Sequence, residues 1–338
     1  MDTIKDPSLE KKSFILVIPN DFGIYKIFNH NLTNLGFDLT SIVPQEFKYP
    51  NFKGRFLNFI IKLFTGKNSY KQKLIKQFHS DNIFAITNNL EENSVDYVLV
   101  IRPDLLDQNT TATLLKIGKK VVAYQWDGLE RFPQVFDFIN HYKNFLIFDI
   151  NDFEKYKPKY KNLIQSESFY FDFDDGSANN HDSNVVYYIG NYIANRSEDL
   201  LSTLDLLKDL PVSFDIKLRH HPKTQPLSHA NILFFRNYID FETNLKYLKQ
   251  AKILLDFKAI EHDGLSLRFF EAMRYEKKII TNNKSVLNYE FYNPNNIFIL
   301  NHDSNERLKE FVESSYESLP KEIVEKYSFS NWLKKYVL

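Results

Sequence analysis

The chain has 338 residues, enough for two domains of ordinary size. With 43% hydrophobic and 25% charged residues it is able to bury sizeable cores, which excludes a disordered chain. Its 43 basic and 43 acidic residues cancel, which argues against a nucleic-acid-binding protein, since such proteins normally carry a basic excess.

The chain contains no cysteine, which excludes disulfide bonds and thiolate zinc sites and fits a reducing compartment. Residues 1–13 are polar and mixed in charge, without the apolar segment of a signal peptide. No run of apolar residues reaches the length of a membrane span. We therefore expect a cytoplasmic protein.

Short apolar runs alternate with segments of helical periodicity, a pattern typical of parallel βαβ units. In the first half the pattern predicts strands at 14–18, 37–43, 95–101, 121–126 and 145–149, and helices at 24–35 and 110–119. About five strands with helices between them make one doubly wound domain.

Residues 171–184 are rich in Asp, Asn, Ser and Gly and are interpreted as a linker. The alternation then restarts, with strands predicted at 185–190, 212–218, 232–235, 253–257, 277–282 and 296–300, and helices at 198–207, 244–250 and 267–275. We therefore predict an α/β fold of two Rossmann-like doubly wound domains in series, comprising residues 1–172 and 184–318, followed by a helix in 319–338. The expected ligand site is the crevice at the carboxyl ends of the strands.

The most informative segment is 263–273, which lies between two predicted strands. Ser266 is suited to cap a helix that begins at Leu267. A helix N-terminus offers free N–H groups and a partial positive charge, which suit a diphosphate, and Gly264 permits close approach of the backbone. Glu271, one turn further on, is placed to accept hydrogen bonds from ribose hydroxyls. Six residues of this segment are therefore candidates for binding the nucleotide sugar: Gly264, Leu265, Ser266, Leu267, Arg268 and Glu271.

Asp263 and Glu271 stand eight positions apart and enclose Gly264-Leu265, and the segment ends in Glu-Ala-Met. This segment resembles the Glu-x7-Glu motif of GT-B glycosyltransferases. The resemblance implies that Asp263 lies near the donor sugar and that Glu271 holds the nucleotide ribose. The motif departs from that pattern by having Asp first and Arg268 inside it, which is similar to CgeB-like transferases of capsule and lipopolysaccharide clusters. The alternative is an ordinary amphipathic helix with a solvated Glu271.

A strand followed by Gly190-Asn191 and Arg196 looks like the opening of the C-terminal domain in the same family, where the turn faces the donor phosphates. Arginine binds phosphate oxygens bidentately, although a surface arginine is an equal alternative. Arg219 and His220 end the next predicted strand and are also candidates for the cleft. Adjacent histidines without a third ligand are a poor metal signal, so we expect a phosphate contact or loop histidines there.

Four further residues are assigned by their places after predicted strands. Tyr238 and Ile239 lie in the strand–loop segment that receives the base in GT-B transferases, or are core residues. Asp127 follows a strand and precedes a glycine, as expected of a general base or an acceptor ligand, or of a helix cap. Asp21, in the first strand–helix loop, has the same two interpretations.

Residues 53–67 mix cations with large apolar side chains. Such a segment suits a membrane interface or a lipid-linked acceptor, or else forms a core helix with lysine tips reaching solvent. Residues 319–338 look like the terminal helix that returns to the first domain in GT-B proteins.

These patterns predict a bacterial glycosyltransferase of surface polysaccharide synthesis, with a nucleotide sugar as donor and a glycan or lipid-linked acceptor. No Asp-x-Asp motif lies in a suitable loop, so we expect metal independence and no cofactor. The motif favours retention of configuration. The alternatives are a pyruvyl or glycerophosphate transferase of the same architecture, or a catalytically silent protein that binds nucleotide sugars.

Overall fold

The computed structural model describes residues 11–44, 47, 49, 51–65, 69–220, 229–258 and 263–338. Within these ranges the chain forms two parallel six-stranded sheets, one after the other along the sequence. Every strand pair is parallel, and helices cover both faces of each sheet, so the strands are hydrophobic on both sides.

The first sheet has the strand order β2-β1-β3-β4-β5-β6. Its strands are β1 (Ser13–Val17), β2 (Asp38–Ile42), β3 (Val95–Ile101), β4 (Gly118–Gln125), β5 (Asn144–Ile147) and β6 (Leu163–Gln165). Its helices are α1 (Tyr25–Asn34), α2 (Phe52–Thr65), α3 (Ser69–Thr87), α4 (Gln108–Ile117) and α5 (Ile150–Tyr156). Alternate residues of β1 pack into two different hydrophobic clusters, as the two-residue period of a strand requires.

The second sheet has the order β12-β11-β10-β7-β8-β9. Its strands are β7 (Val185–Asn191), β8 (Ser213–Arg219), β9 (Ile232–Phe235), β10 (Ile253–Asp256), β11 (Lys278–Thr281) and β12 (Ile297–Ile299). Its helices are α6 (Ala194–Leu207), α7 (Phe241–Lys249), α8 (Leu267–Arg274) and α9 (Leu308–Glu313). The pairing of β7 with β8 places Asn191 beside Arg219 at the carboxyl end of the sheet.

Two helices, α10 (Lys321–Lys326) and α11 (Phe329–Tyr336), end the chain. The ring of Trp332 lies 4.7 Å from that of Phe169 and 5.2 Å from that of Tyr124, both in the first half of the chain. Phe329 packs on Phe28 of α1 at 5.3 Å. The predicted fold of two Rossmann-like domains with a helix that returns to the first one is therefore confirmed.

The predicted element bounds differ from the observed ones mainly at caps. Helix α4 begins two residues earlier than predicted because the Asp107 carboxylate accepts a hydrogen bond from the Thr110 N–H. It ends at Ile117, so residues 118–119 belong to β4 and not to a helix. Helix α7 likewise begins at Phe241, after an Asp240 cap. Strand β6, only three residues long, was not predicted from the sequence.

Helix α2 covers most of the segment 53–67, and residues 66–67 lie outside the described part. Its large apolar side chains are mainly solvent-exposed, with Phe52 at 77%, Phe59 at 60% and Leu63 at 68% of full exposure. The alternative of a buried core helix is therefore wrong for this face. None of the helices in the described ranges has the length and hydropathy to cross a membrane.

Candidate active site in the interdomain cleft

The carboxyl ends of the two sheets face each other and enclose a cleft, and backbone contacts join its walls. The Phe22 carbonyl of the β1–α1 turn accepts a hydrogen bond from the Phe241 N–H at 2.8 Å. Asp149, after β5, accepts bonds from the N–H groups of Asp263 at 2.5 Å and Gly264 at 2.8 Å. Hydrogen bonds therefore join the two domains across the cleft at two separate points, which we call the Phe22–Phe241 crossing and the Asp149–Gly264 crossing.

Between these crossings lies a cavity of about 350 Å³, here called the central cavity. Both domains contribute to its lining: Arg131 comes from the first, and Gly190, Ser266, Arg268 and Glu271 are among those from the second. The structure thus brings together the carboxyl end of β7 and the predicted 263–273 motif, which are far apart in sequence.

Glu271 is a deeply buried charged group of the central cavity, with 6% of its surface exposed. Its Oε1 atom is buried and has no hydrogen-bond partner among the described residues. Burial raises the pKa of Glu271 to about 7, opposed by Arg268 and reinforced by Asp256. A solvated Glu271 is therefore excluded, and an unpartnered carboxylate oxygen is left for a ligand that donates hydrogen bonds.

Ser266 occupies the N-cap position of α8, but its hydroxyl makes no capping bond. It donates instead to Asp256 at 2.7 Å, so the predicted side-chain cap is wrong. No described side chain therefore caps the first turn of α8, which faces the central cavity. Anions bind readily at such helix N-termini.

Arg268 is held by the ends of two strands. Its Nη1 donates to the Leu255 carbonyl at 2.8 Å and contacts Asp256 at 3.2 Å, and its Nη2 donates to the Ile189 carbonyl at 2.9 Å. With 18% of its side chain exposed, Arg268 lines the central cavity as a fixed cation.

The loop before α8 forms the second crossing of the cleft. A Cβ atom on Gly264 would overlap the ring of Phe148 from the first domain, so only glycine allows this close approach. The Asp263 carboxylate contacts Lys258 and Asn151. Leu265 is a core residue with 1% exposure, which corrects its prediction as a ligand-binding side chain. Leu267 lines the central cavity, as predicted.

An adjoining, mainly apolar cavity of about 210 Å³ shares Ile189, Gly190, Phe241 and Asn244 with the central one. Its remaining lining includes Phe22 and four predicted residues, Asn191, Arg219, Tyr238 and Ile239. The Arg219 guanidinium stacks on the Tyr238 ring at 3.5 Å and donates to the Arg236 carbonyl at 3.2 Å. The two cavities together form one elongated space.

Arg196 and His220 are two further predicted phosphate ligands. The backbone of Arg196 lies in α6, but its side chain lies outside the described residues. The ring of His220 packs edge-on against Phe234 at 6.2 Å, and His220 is absent from the described lining of both cavities. Neighbouring residues of an extended chain point to opposite faces, so Arg219 takes the cavity side and His220 does not.

The wall of the first domain carries a charged group that we call the arginine–aspartate cluster: Arg102, Asp104, Asp127 and Arg131. Arg102 is buried, and its backbone is in the left-handed region (φ 62°). Its guanidinium contacts Asp104 bidentately at 2.7 and 2.8 Å. Its Nη1 also contacts Asp127 at 3.1 Å, while Arg131 contacts the other Asp127 oxygen at 2.8 Å. Both Asp127 oxygens are therefore occupied by arginines.

Asp21 lies beside this cluster, in the turn after β1. Although Asp21 is exposed, its pKa is raised, first by partial desolvation beside the cluster and then by Asp127 and Asp104, whereas Arg102 opposes the rise. Within the described residues its carboxylate has no hydrogen-bond or ion-pair partner. Asp21 and Asp127 were predicted from the sequence but Arg102 was not, although a charged residue directly after the apolar strand 95–101 was a signal for it.

No family model matches the chain, and no curated protein is similar to it at a significant level. Solved structures are similar over nearly the whole length. A UDP-forming trehalose-phosphate synthase from Burkholderia xenovorans shares 10% identity at a TM-score of 0.56, covering 96% of this chain and 97% of that one. A sucrose-phosphate synthase from Thermosynechococcus elongatus gives 10% identity and a TM-score of 0.53, with the same coverage.

A third similar structure is an α-glucosyltransferase in complex with UDP and DNA, at 12% identity and a TM-score of 0.50, covering 96% of this chain and 98% of that one. All three share the arrangement of two Rossmann-like domains in series. The chain therefore has the GT-B fold.

Proposed function

We propose that this protein transfers a sugar from a nucleotide-activated donor bound in the central and adjoining cavities. The observation that carries the proposal is Glu271, a buried carboxylate with an unpartnered oxygen in the wall of the central cavity. Two neighbouring ribose hydroxyls are suitable donors to such a carboxylate. Two of the similar structures, a UDP-forming synthase and an α-glucosyltransferase in complex with UDP, favour a uridine nucleotide.

In this proposal the base occupies the adjoining cavity, where Tyr238 and Ile239 offer apolar surface. With the ribose at Glu271, the diphosphate lies near Gly190, Arg268 and the uncapped first turn of α8. The donor sugar then extends toward Asp263. Fixed cations and backbone dipoles stabilise the charge that develops on the leaving diphosphate.

On the acceptor side we propose Asp21 as the group that accepts the proton of the attacking hydroxyl. The predicted alternative, Asp127, has both oxygens on arginines, whereas Asp21 has no described partner and a raised pKa. A base with an elevated pKa is better matched to proton transfer near neutral pH. Asp127 then positions Arg131, which reaches into the central cavity.

We further propose retention of configuration and a CgeB-like role in surface polysaccharide synthesis, on the Asp-x7-Glu motif and its internal Arg268. NMR of the anomeric proton in the first product tests the stereochemistry. Inversion would contradict this part of the proposal and leave the donor site unaffected.

The exposed face of α2 suits peripheral contact with an anionic inner membrane or a lipid-linked acceptor. Phe52, Phe56, Phe59 and Leu63 recur at helical spacing on one face, and α2 contains three cations and no acid. Co-sedimentation with phosphatidylglycerol vesicles, compared with phosphatidylcholine vesicles, tests this contact. We expect Phe56→Ser/Phe59→Ser to reduce binding to the anionic vesicles, and unchanged binding would contradict the role of α2.

The function itself is tested by calorimetry with a panel of nucleotide sugars, followed by a hydrolysis assay on each binder. We expect at least one nucleotide sugar to bind and to be turned over. Affinity without turnover in the presence of acceptors would instead indicate a non-catalytic binding protein. Failure of every nucleotide to bind would overturn the proposed donor site.

A further inference from the structure

A separate cavity of about 430 Å³ lies on the other side of the Asp149–Gly264 crossing. We call it the distal cavity. Its walls come from the ends of β5 and β6 in the first domain, from residues 285–290 after β11, and from α10. Only Gly264 lines both the distal and the central cavity among the described residues, so one glycine-wide loop separates the two.

The distal cavity has an aromatic side and an uncharged polar side. Phe148, Tyr289 and Tyr327 contribute rings. Gln165 and Asn288 contribute amides, and within the described part of the chain neither amide has a side-chain hydrogen-bond partner. A primary amide offers two donors and an acceptor, so this wall is able to bind a ligand that carries several hydroxyl groups.

The charged groups of the distal cavity are already paired. Glu290 contacts Lys326, and Glu167 accepts a hydrogen bond from the Tyr336 hydroxyl at 2.5 Å. Asp263 contacts Lys258 and Asn151. Among the described residues that line it, the cavity therefore offers no unpaired cation to a phosphate and no unpaired anion to an amine, which favours a neutral ligand.

We infer that the distal cavity binds a neutral saccharide unit. Aromatic rings pack against the C–H faces of a sugar, and amides satisfy its hydroxyls without adding charge. This inference rests on the proposed function, because Asp263, the residue assigned to the donor sugar, is part of the distal wall. The saccharide is the sugar of the donor or a sugar of the acceptor.

The test uses the variants Asn288→Leu and Gln165→Leu, singly and together. Asn140→Leu is the matched control, because Asn140 is exposed and absent from the described lining of the distal cavity. Thermal unfolding first establishes that each variant is folded. The ligands are the nucleotide sugar that binds in the panel, its free nucleoside diphosphate, and methyl glycosides of glucose, galactose, mannose and N-acetylglucosamine. Calorimetry and saturation-transfer NMR measure their binding.

A donor sugar in the distal cavity predicts that the double variant weakens nucleotide-sugar binding about tenfold or more, with unchanged binding of the nucleoside diphosphate. An acceptor sugar predicts unchanged donor binding and loss of the methyl glycoside signal. Wild-type affinity for all these ligands would overturn the inference. If no nucleotide binds the wild type, the proposed donor site fails, while the methyl glycoside measurement still decides the distal cavity.

Discussion

The two walls of the central cavity hold their charges in different ways. In the first domain, Asp104 and Asp127 are neutralised by Arg102 and Arg131, so the arginine–aspartate cluster is electrostatically complete without a ligand. In the second domain, Glu271 is buried with an oxygen that no described residue satisfies. A complete cluster holds a wall in shape, whereas an incomplete one leaves interaction energy available to a ligand.

Asp21 stands between these two cases, because it lies beside the complete cluster without being part of it. Arg102 and the two cluster carboxylates shift its pKa in opposite directions, and partial desolvation decides that the pKa rises. We therefore expect the paired charges to maintain the shape of the site, and the unpaired carboxyl groups Asp21 and Glu271 to act on substrates.

The largest effect is expected for Asp21→Asn. We predict that transfer falls about 10²–10⁴-fold while nucleotide affinity is unchanged, as for loss of a general base. The transfer rate of the wild type should rise with pH through a pKa above the ordinary 3.8, because only the ionised carboxylate accepts a proton. In Asp21→Asn this rise of the rate with pH should be absent. Steady-state kinetics from pH 4 to 8 measures both.

Asp127→Asn is the matched comparison for that variant. It should lower transfer less than Asp21→Asn, because Asp127 acts through Arg131. A larger loss in Asp127→Asn than in Asp21→Asn would return the base role to Asp127.

Removal of the cluster's central cation should mainly affect stability. We predict that Arg102→Ala lowers the free energy of unfolding by about 3–5 kcal/mol, because it leaves the fully buried Asp104 unpaired. Arg131→Ala, at an exposed position, should cost about 1 kcal/mol or less. Urea unfolding of both variants measures the difference, and equal losses would show that the cluster does not maintain the wall.

Glu271→Gln should weaken nucleotide binding about tenfold to hundredfold, through loss of charge-assisted hydrogen bonds of roughly 1.5–3 kcal/mol. In the absence of nucleotide, Glu271→Gln should instead raise the free energy of unfolding at high pH. The raised pKa means that the folded protein loses stability as pH rises from about 4.5 through about 7. The variant should therefore be more stable than the wild type at pH 8, by up to about 3 kcal/mol, and similar at pH 4.

Calorimetry and thermal unfolding at the two pH values separate these effects. Unchanged nucleotide affinity in Glu271→Gln, together with normal unfolding, would show that Glu271 is not the ribose ligand and that its burial is structural.

The smallest effect is expected for metal removal. The part of the chain that the structure describes has no group of three or more His, Asp or Glu side chains arranged to hold a metal ion. We predict that exhaustive chelation leaves transfer unchanged, since fixed cations and the α8 N-terminus balance the diphosphate. Loss of activity that Mg²⁺ or Mn²⁺ restores would contradict this account of the phosphate site.

The sequence by itself determined the two-domain α/β fold, because hydrophobic periodicity depends only on which residues neighbour each other along the chain. Strands 95–101 and 232–235 and the final helix follow directly from that local pattern. The 263–273 motif also identified Glu271 as a candidate, since its spacing and composition lie within one short continuous segment, a loop followed by the start of α8.

Only the tertiary structure decided how these residues are partnered. The ion pair between Arg102 and Asp127 joins residues 25 positions apart, and the bonds of Asp149 to the loop before α8 join residues more than 100 positions apart. The burial of Leu265 and the use of the Ser266 hydroxyl by Asp256 likewise depend on packing between elements. Local sequence patterns carry no information on such contacts, because charge balance and burial are set by which strand ends and loops meet when the two domains enclose the cleft.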